Sequence, residues 1–180
     1  MAVTINGTTG ASLVQDSTIT SAKIVDGSIT QIDMSTNIAC NGPAFSVYQS
    51  TVQTVPNVTF TKVNLQTKEF DTNNNFDNTT NYRFTPTVAG YYQVNGSTNY
   101  NGASSTLLST IHKNGVIYKR GSQSGPVAGA GYGSVVSSLV FLNGTTDYLE
   151  LFTYQGSGAA LNLLSTIDST YFNGYLARAA

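Results

Sequence analysis

The chain has 180 residues, enough for one sizeable domain and an appendage. Only 9% of the residues are charged, 8 basic and 9 acidic, against about 25% in an average protein, so Thr, Ser and Asn keep the surface hydrated. The lack of any Lys or Arg cluster excludes nucleic acid and membrane surfaces as partners. No apolar run reaches the about 18 residues of a membrane-spanning helix. The first basic residue is Lys23, so we expect neither membrane insertion nor a secretory signal.

Residues 1–42 carry a short repeat with a period of ten. Its two copies match three pairs of positions: Ile19 with Ile29, Ala22 with Ile32, and Ile24 with Met34. Such a unit is too thin to bury its own apolar face, so it must stack on other chains. We expect an extended β-repeat stem or anchor whose apolar contacts are Ile19, Ile24, Ile29, Ile32 and Met34. The alternative is a partly ordered tail.

Residues 43–180 alternate apolar residues with Thr, Ser and Asn at a period of two, and Gly-rich breaks recur between the runs. This pattern predicts an all-β antiparallel sandwich or jelly roll of eight to ten short strands. The predicted strands cover residues 45–49, 58–65, 82–84, 90–100, 107–112, 116–119, 134–142, 148–154, 161–164 and 171–176. Between two of them, Lys113-Asn114-Gly115 favours a type I′ hairpin turn, because Asn and Gly tolerate positive φ angles.

Residues 70–92 read FDTNNNFDNTTNYRFTPTVAGYY. Four further segments accompany them in order: PAFSV at 43–47, IHKNGV at 111–116, VFLNGTTDYLEL at 140–151 and STYFNGYL at 169–176. Together these segments resemble the C1q/TNF-like family over residues 43–177. The resemblance implies a ten-stranded jelly-roll head domain, residues 43–180, that assembles as a compact homotrimer. The chain differs from animal members in having no Gly-X-Y collagen region in residues 1–42, and Asn74 or Asn75 replaces the family's glycine.

The N-terminal repeat is similar to segments of bacteriophage tail and head fibre proteins. Joined to a trimeric head, it implies a phage virion protein that is made in the host cytoplasm and displayed on the particle surface. Residues 1–42 are then expected to bind other virion proteins, and the head to attach to a glycan or protein on the host surface. The alternative is a purely structural capsid or tail decoration protein without receptor binding.

Two strands carry alternating aromatic faces that a monomer would leave in water. One face of the 148–154 strand holds Tyr148, Glu150, Phe152 and Tyr154, and one face of the last strand holds Tyr171 and Tyr175. The resemblance implies that the 148–154 strand lies in the inner sheet, with one face toward the sandwich and the other toward the threefold axis. We therefore expect these six residues at the trimer interface.

The Asn-rich segment places oxygen-bearing side chains at alternate positions, as a calcium loop does: Asp71, Asn73, Asn75 and Asp77. Position 6 of such a loop is Phe76 instead of Gly, and position 12 is Tyr82 instead of Glu. A turn held by Asx hydrogen bonds is therefore the favoured interpretation. We expect neither a metal nor any other cofactor.

No catalytic residue is predicted. The single histidine, His112, has no second ligand at metal spacing and no accompanying nucleophile elbow, so it is interpreted as a strand residue beside the hairpin. Residues 121–133 lack the Gly-Lys-Ser/Thr ending and the following helix of a phosphate loop, which favours a surface loop. No paired acid indicates glycan hydrolysis. Cys40 is the only cysteine, so no intrachain disulfide is expected.

Strand order predicts which loops lie far from the stem. With eight principal antiparallel strands, connections alternate between two ends of the sandwich. Loops 71–81, 113–115, 143–146 and 165–169 are expected at the far tip, and loop 121–133 at the stem end. The expected receptor-facing residues are Asp71, Asn73, Asn75, Asp77, Lys113, Asn114 and Asn143.

Overall fold

The computed structural model describes residues 42–125 and 131–180. Within these ranges the backbone forms β-strands and no helix, so nothing in them could cross a bilayer as a helix. The strands are β1 (Ala44–Tyr48), β2 (Thr54–Val55), β3 (Thr61–Lys62), β4 (Thr67–Asp71), β5 (Phe76–Asp77), β6 (Arg83–Phe84), β7 (Gly90–Tyr100), β8 (Leu107–Lys113), β9 (Val116–Ser124), β10 (Tyr132–Leu142), β11 (Leu149–Gln155), β12 (Leu161–Asn162) and β13 (Tyr171–Ala179). Outside the described residues lie Cys40 and the predicted stem contacts Ile19, Ile24, Ile29, Ile32 and Met34.

The strands form two large sheets that face each other. The five-stranded sheet has the order β10-β7-β13-β1-β4, and the six-stranded sheet has the order β5-β6-β11-β8-β9, with β3 also paired to β11. A small third sheet joins β12 to β2. All these pairs are antiparallel. The predicted all-β antiparallel sandwich is confirmed.

The core lies between the two large sheets, where their alternating apolar residues meet. The Phe45 ring stacks on Phe84 with 4.2 Å between ring centres and meets Phe172 edge-on at 5.2 Å. Phe84 in turn meets Tyr92 edge-on at 5.5 Å. All four side chains are fully buried, and burying such a ring contributes about 2–3 kcal/mol. The cluster ties β1, β7 and β13 of one sheet to β6 of the other.

A hydroxyl network also crosses the core. Thr98 Oγ1 lies 2.7 Å from Ser109 Oγ and 3.0 Å from Thr153 Oγ1, and the Tyr100 hydroxyl lies 2.6 Å from Thr153 Oγ1. Thr98 and Tyr100 belong to β7, whereas the other two belong to β8 and β11 of the opposite sheet. Burial raises the pKa of Tyr100, so its hydroxyl stays protonated. Each of these four buried hydroxyls therefore has a partner.

Strand directions define two ends of the sandwich. Ala44, at the start of β1, pairs with Tyr175, and Tyr48, at its end, pairs with Tyr171. We call the end that holds Ala44 the proximal end, because the chain enters β1 there, and the end that holds Tyr48 the distal end. β7 starts at the proximal end, since Gly90 pairs with Ala179 near the end of β13.

The predicted hairpin turn is present between β8 and β9. Asn114 and Gly115 have φ angles of 53° and 78°, which a type I′ turn requires at both central positions. Lys113 pairs with Val116 across the turn. The hairpin prediction is confirmed.

Strands replace much of the surface loop expected at residues 121–133. β9 extends to Ser124 and β10 begins at Tyr132. A Cβ at Gly121 would collide with the Val135 carbonyl, so this glycine lets β9 pass close to β10. Glycine here reflects close backbone approach rather than a loop.

Candidate interaction surfaces

The Asn-rich loop, residues 71–81, is organised around two carboxylates. Asp71 accepts hydrogen bonds from the backbone N–H groups of Asn75 and Phe76, both at 2.9 Å. Its second partner is the ammonium group of Lys68, 2.8 Å away. Asn73 contributes its carbonyl oxygen, which accepts a bond from the Asn75 amide at 3.2 Å. The carboxylate of Asp71 therefore closes the turn rather than facing an open site.

Asp77 closes the second half of this loop. It accepts backbone N–H bonds from Thr79 and Thr80 at 3.0 Å and from Asn81 at 3.1 Å. The N–H donors of Thr80 and Thr79 hold the pKa of Asp77 well below its usual value of 3.8. The Asx-turn interpretation is confirmed. In residues 42–125 and 131–180, no group of three His, Cys, Asp or Glu side chains is placed to hold a metal ion.

The hairpin and the turn after β10 are joined by side chains. Lys113 pairs with Asp147 at 2.9 Å, and the Asn114 amide donates to the same carboxylate at 2.8 Å. These bonds, with that of Asn114 as the largest cause, lower the pKa of Asp147. Asn143 begins the turn after β10, and its Oδ1 accepts hydrogen bonds from the backbone N–H groups of Thr145, Thr146 and Asp147. Lys113, Asn114 and Asn143 therefore hold two connections together.

These connections lie at the proximal end, not at the expected far tip. Thr72 N donates to the Ala44 carbonyl at 3.0 Å, which places the Asn-rich loop beside the start of β1. Lys113 Nζ donates to the Phe141 carbonyl at 2.8 Å, near the end of β10. The physical reason is β4, which the sequence pattern does not predict. It runs antiparallel to β1, so the chain returns to the proximal end before the Asn-rich loop begins.

The predicted receptor-facing residues are therefore corrected in position: Asp71, Asn73, Asn75, Asp77, Lys113, Asn114 and Asn143 all lie at the end where the chain enters the domain. Loop 165–169 does lie at the distal end, because the Ser169 carbonyl accepts a bond from Asn99 at 2.6 Å. The ends of β9 and β10 around residues 125 and 131 also lie there, since Ser124 pairs with Leu107 and Gly131 N donates to Tyr100.

β11 does not present the exposed aromatic face that was expected. β11 belongs to the six-stranded sheet, whereas β1 and β13 belong to the five-stranded sheet. Glu150 is buried and pairs with Lys62 at 3.1 Å, and the Phe152 ring stacks on His112 at 3.8 Å. Tyr154 lies 5.0 Å from the ring of Phe60. The expectation that a monomer would leave this face in water is wrong, because β3 and Phe60 cover it.

Tyr148 precedes β11 and is half-buried, with the Arg83 guanidinium 4.4 Å from its ring centre. Tyr171 is half-buried and Tyr175 is exposed on the outward face of β13. The alternation predicted for β13 is therefore present. Of the six residues expected at a trimer interface, Tyr175 is the most open.

The outward face of the five-stranded sheet carries six exposed apolar side chains. We call it the apolar face; its members are Phe70, Tyr91, Val135, Leu139, Phe141 and Tyr175, which are 42–56% exposed. The Tyr91 and Phe141 rings meet edge-on at 5.4 Å. The strand register places Gln93 between Leu139 and Tyr175, so these three side chains form one continuous row across the sheet.

A polar row crosses this face, and its groups bond to one another. Ser137 Oγ donates to Asn95 at 2.8 Å, and the Asn95 amide donates to Asn173 at 3.1 Å. Because these groups already have partners, a covering surface would not strand them. The apolar face can therefore be buried at little polar cost.

Sequence reasoning missed the exposed apolar residues of β10. A signal was present: Val135, Leu139 and Phe141 alternate with the buried Val136 and Val140. A strand that is apolar on both faces needs cover on both. The exposed Phe70 gave no such signal, because its strand, β4, is otherwise polar.

The comparisons identify the fold. No family model matches the chain, and no curated protein matches it in sequence. Among solved structures, Eiger TNF from S. frugiperda aligns with a TM-score of 0.60 at 11% identity, covering 78% of this chain and 96% of that one. Murine APRIL at pH 5.0 aligns with a TM-score of 0.59 at 10% identity, covering 76% and 99%. The domain has the TNF-like jelly-roll fold.

Proposed function

We propose that this chain is a homotrimeric, non-enzymatic virion protein of a bacteriophage, a tail or head fibre whose jelly-roll domain attaches to the host surface. The observation that carries the proposal is the apolar face. Contiguous apolar patches of this kind on a soluble domain are typical of protein interfaces. The C1q/TNF-like resemblance of residues 43–177 implies a trimer as the assembly that buries it.

The apolar face suits self-association in both composition and geometry. Val135 is 56% exposed, Leu139 52% and Tyr175 52%. Burying a fully exposed side chain of this kind contributes about 1.5–3 kcal/mol, so covering the exposed half contributes about half of that. The row of Ser137, Asn95 and Asn173 between them is internally hydrogen-bonded. Burial in a trimer therefore removes apolar surface from water, while each side chain of the polar row keeps a hydrogen-bond partner within the row.

The N-terminal segment supplies the virion part of the proposal. Residues 1–42 are similar to phage fibre repeats, and we propose that they bind other virion proteins. The chain enters the domain at the proximal end, so the distal end is the part that projects from the particle. Attachment to a host glycan or protein is accordingly proposed at the distal end, on a virion made in the host cytoplasm.

The oligomeric state of the full-length protein tests the assembly. Native mass spectrometry or light scattering at micromolar concentration is expected to show three chains. Leu139→Asp places a carboxylate in the contact, which is costly without a partner, and is expected to yield monomers. Ile167→Asp is the matched control, because Ile167 is equally exposed at 52% but lies in the distal loop. A wild-type protein that stays monomeric contradicts the trimer.

Competition for adsorption tests the attachment. Purified trimer, added to host cells before the particle that carries it, is expected to reduce particle adsorption in a dose-dependent manner. Trimer that binds no cells while its particle still adsorbs would favour the alternative function, a structural decoration protein. Release of free sugar from host surface polysaccharide by the trimer would contradict the non-enzymatic assignment.

A further inference from the structure

A cleft of about 340 Å³ opens on the outward face of the six-stranded sheet. Its lining residues are Phe60, Thr106, Leu108, Arg120, Gln123 and Tyr154. Three neighbouring strands supply the floor: Tyr154 of β11 pairs with Leu108 of β8, which pairs with Gln123 of β9. The cleft lies toward the distal end, because the next pair along is Leu107 with Gln155, where β11 ends. We call it the Arg120 cleft.

One wall of the Arg120 cleft is aromatic and fixed. Phe60 and Tyr154 are half-buried, with 5.0 Å between their ring centres. The backbone before Phe60 is held by a hydrogen bond from Val58 N to the Gln155 carbonyl at 2.8 Å. Val58 has a φ of 56°, which a β-branched residue adopts only when its surroundings impose it. The wall is therefore preorganised for a flat apolar ligand surface.

The cleft also carries a positive charge that no acid among the described residues pairs with. The Arg120 guanidinium lies 5.5 Å from the Phe60 ring centre, a cation–π contact that orients it. Ion pairs in the part of the chain that the structure describes join Lys62 to Glu150, Lys68 to Asp71, and Lys113 to Asp147. None of them includes Arg120. Glu150, the acid on the same sheet face, is already paired.

A second cavity, of about 480 Å³ beside the Asn-rich loop, is less suited to an anion. Its Lys68 is paired with Asp71 at 2.8 Å. Its Arg83 shares the lining of this cavity with the acid Asp77, which lies opposite it in the β5–β6 pair. This cavity also lies at the proximal end, where the chain enters the domain. The Arg120 cleft therefore combines a free cation, an aromatic wall and the projecting end.

We infer that the Arg120 cleft binds a sugar that carries a carboxylate, such as a uronic or sialic acid; this inference rests on the proposed attachment function. A guanidinium binds a carboxylate through two parallel N–H donors. The C–H face of a pyranose ring packs on Tyr154, and the Gln123 amide and Thr106 hydroxyl bond to ring hydroxyls. A neutral sugar leaves the guanidinium without its anion, and this difference gives the cleft its selectivity.

Titration of the full-length protein tests the ligand class. The acidic probes are galacturonic acid trisaccharide, glucuronic acid disaccharide and sialyllactose; the neutral probes are galactose trisaccharide, cellobiose and lactose. At least one acidic probe is expected to bind at least about tenfold more tightly than its neutral counterpart, the scale of one charge-assisted contact. Failure of all acidic probes to bind at millimolar concentration, or equal binding of both members of every pair, overturns the inference.

Two variants with one matched control locate the binding. Arg120→Gln is expected to weaken the acidic probe about tenfold or more and to leave the neutral probe unchanged. Tyr154→Ala is expected to weaken both, because it removes the shared apolar contact. Lys119→Gln removes the same charge from the neighbouring exposed residue and is expected to retain binding. Equal losses for Lys119→Gln and Arg120→Gln would indicate nonspecific attraction and overturn the inference.

Adsorption competition separates the two proposals. If wild-type trimer competes with the particle and Arg120→Gln competes equally well, the cleft is not the attachment site and this inference fails while the proposed function stands. If wild-type trimer does not compete at all, the proposed attachment fails, and the titration alone decides whether the cleft binds acidic sugars.

Discussion

At the scale of single residues, His112 is the least satisfied polar side chain of the outward sheet face. Both ring nitrogens lack a hydrogen-bond partner among the described residues, although the side chain is buried. Its ring stacks on Phe152 at 3.8 Å, beside the Glu150–Lys62 ion pair. Burial lowers the pKa of His112 below its usual value of 6.5 and outweighs the opposing attraction of Glu150. The folded protein therefore takes up this proton less readily than the unfolded chain.

This difference predicts an acid-sensitive stability. Above pH 6.5 the histidine is neutral in both states and contributes nothing to the pH dependence. As pH falls below 6.5, the unfolded state gains the proton more readily than the folded state, so the free energy of unfolding decreases. His112→Gln is expected to remove this decrease, because His112 is the only histidine. Urea unfolding at several pH values between 7.5 and 5.0 measures this decrease in the free energy of unfolding. An equally large decrease in the variant would contradict the assignment to His112.

The hydroxyl network gives a second prediction at this scale. Thr153→Val keeps the side-chain shape but leaves the buried hydroxyls of Thr98 and Tyr100 short of a partner, so it is expected to cost about 1–3 kcal/mol per stranded group. Tyr100→Phe removes only a terminal member and is expected to cost about 1 kcal/mol. Chemical denaturation of both variants checks the order, and a larger loss for Tyr100→Phe would contradict the network.

At the scale of elements, the sequence predicts the long strands well and the short edge strands poorly. β7 matches the predicted residues 90–100, because buried side chains largely alternate with more exposed ones along this strand. β4 was not predicted, since the residues of Thr67–Asp71 include a single apolar side chain, Phe70, and it is exposed. An edge strand pairs on one side only, so its burial leaves little trace in the sequence. That one omission placed the Asn-rich loop and the hairpin at the wrong end.

The same limit explains what could be predicted of the candidate surfaces. The aromatic alternation of β11 could be predicted from the sequence. The contacts of Phe60 and Lys62 with this strand could not, because these residues lie about ninety positions earlier in the chain. The face of β10 was legible in principle, as Val135 and Leu139 break the polar side of its alternation. The Arg120 cleft depends on register among three strands, and a one-residue shift would turn Arg120 to the other face.

Asp77 supplies a prediction for the Asn-rich loop as an element. Asp77→Ala removes the acceptor of three backbone N–H groups at Thr79, Thr80 and Asn81, so it is expected to cost about 1–2 kcal/mol, as for loss of a helix cap. Asp77→Asn keeps an acceptor and is expected to cost less. The carboxylate has a lowered pKa, so its contribution is full above pH 3.8 and is lost as pH falls below it.

Thermal unfolding of the two variants at neutral pH and near pH 3 provides the measurement. The gap between wild type and Asp77→Asn is expected to narrow at the lower pH, because the unfolded wild-type chain then takes up a proton on this carboxyl group while the folded protein keeps it ionised. A gap that stays constant would show that charge plays no part in holding the loop. Alanine at the exposed Thr80 is a control, since its backbone N–H still donates to Asp77 and its side chain makes no bond to that carboxylate.

At the scale of the whole molecule, the jelly roll separates three tasks in space. The chain enters β1 at the proximal end, where the Asn-rich loop and the hairpin also lie. The apolar face occupies the side formed by the five-stranded sheet, and the Arg120 cleft lies on the opposite sheet toward the distal end. In the proposed trimer, self-association therefore uses one sheet and leaves the other available for a ligand.

This separation predicts a concentration-dependent thermal stability. A folded trimer that unfolds to single chains gains stability by mass action. With an unfolding enthalpy of about 0.7 kcal/mol per residue, a tenfold rise in protein concentration raises Tm by about 3 °C. Leu139→Asp is expected to have a lower Tm that does not change with concentration, because its monomers have no partner to lose. Arg120→Gln is expected to keep the wild-type slope, because the cleft lies outside the apolar face. Calorimetry over a hundredfold range of concentration measures both, and a flat Tm in wild type would show that the apolar face is not buried by other copies of the chain.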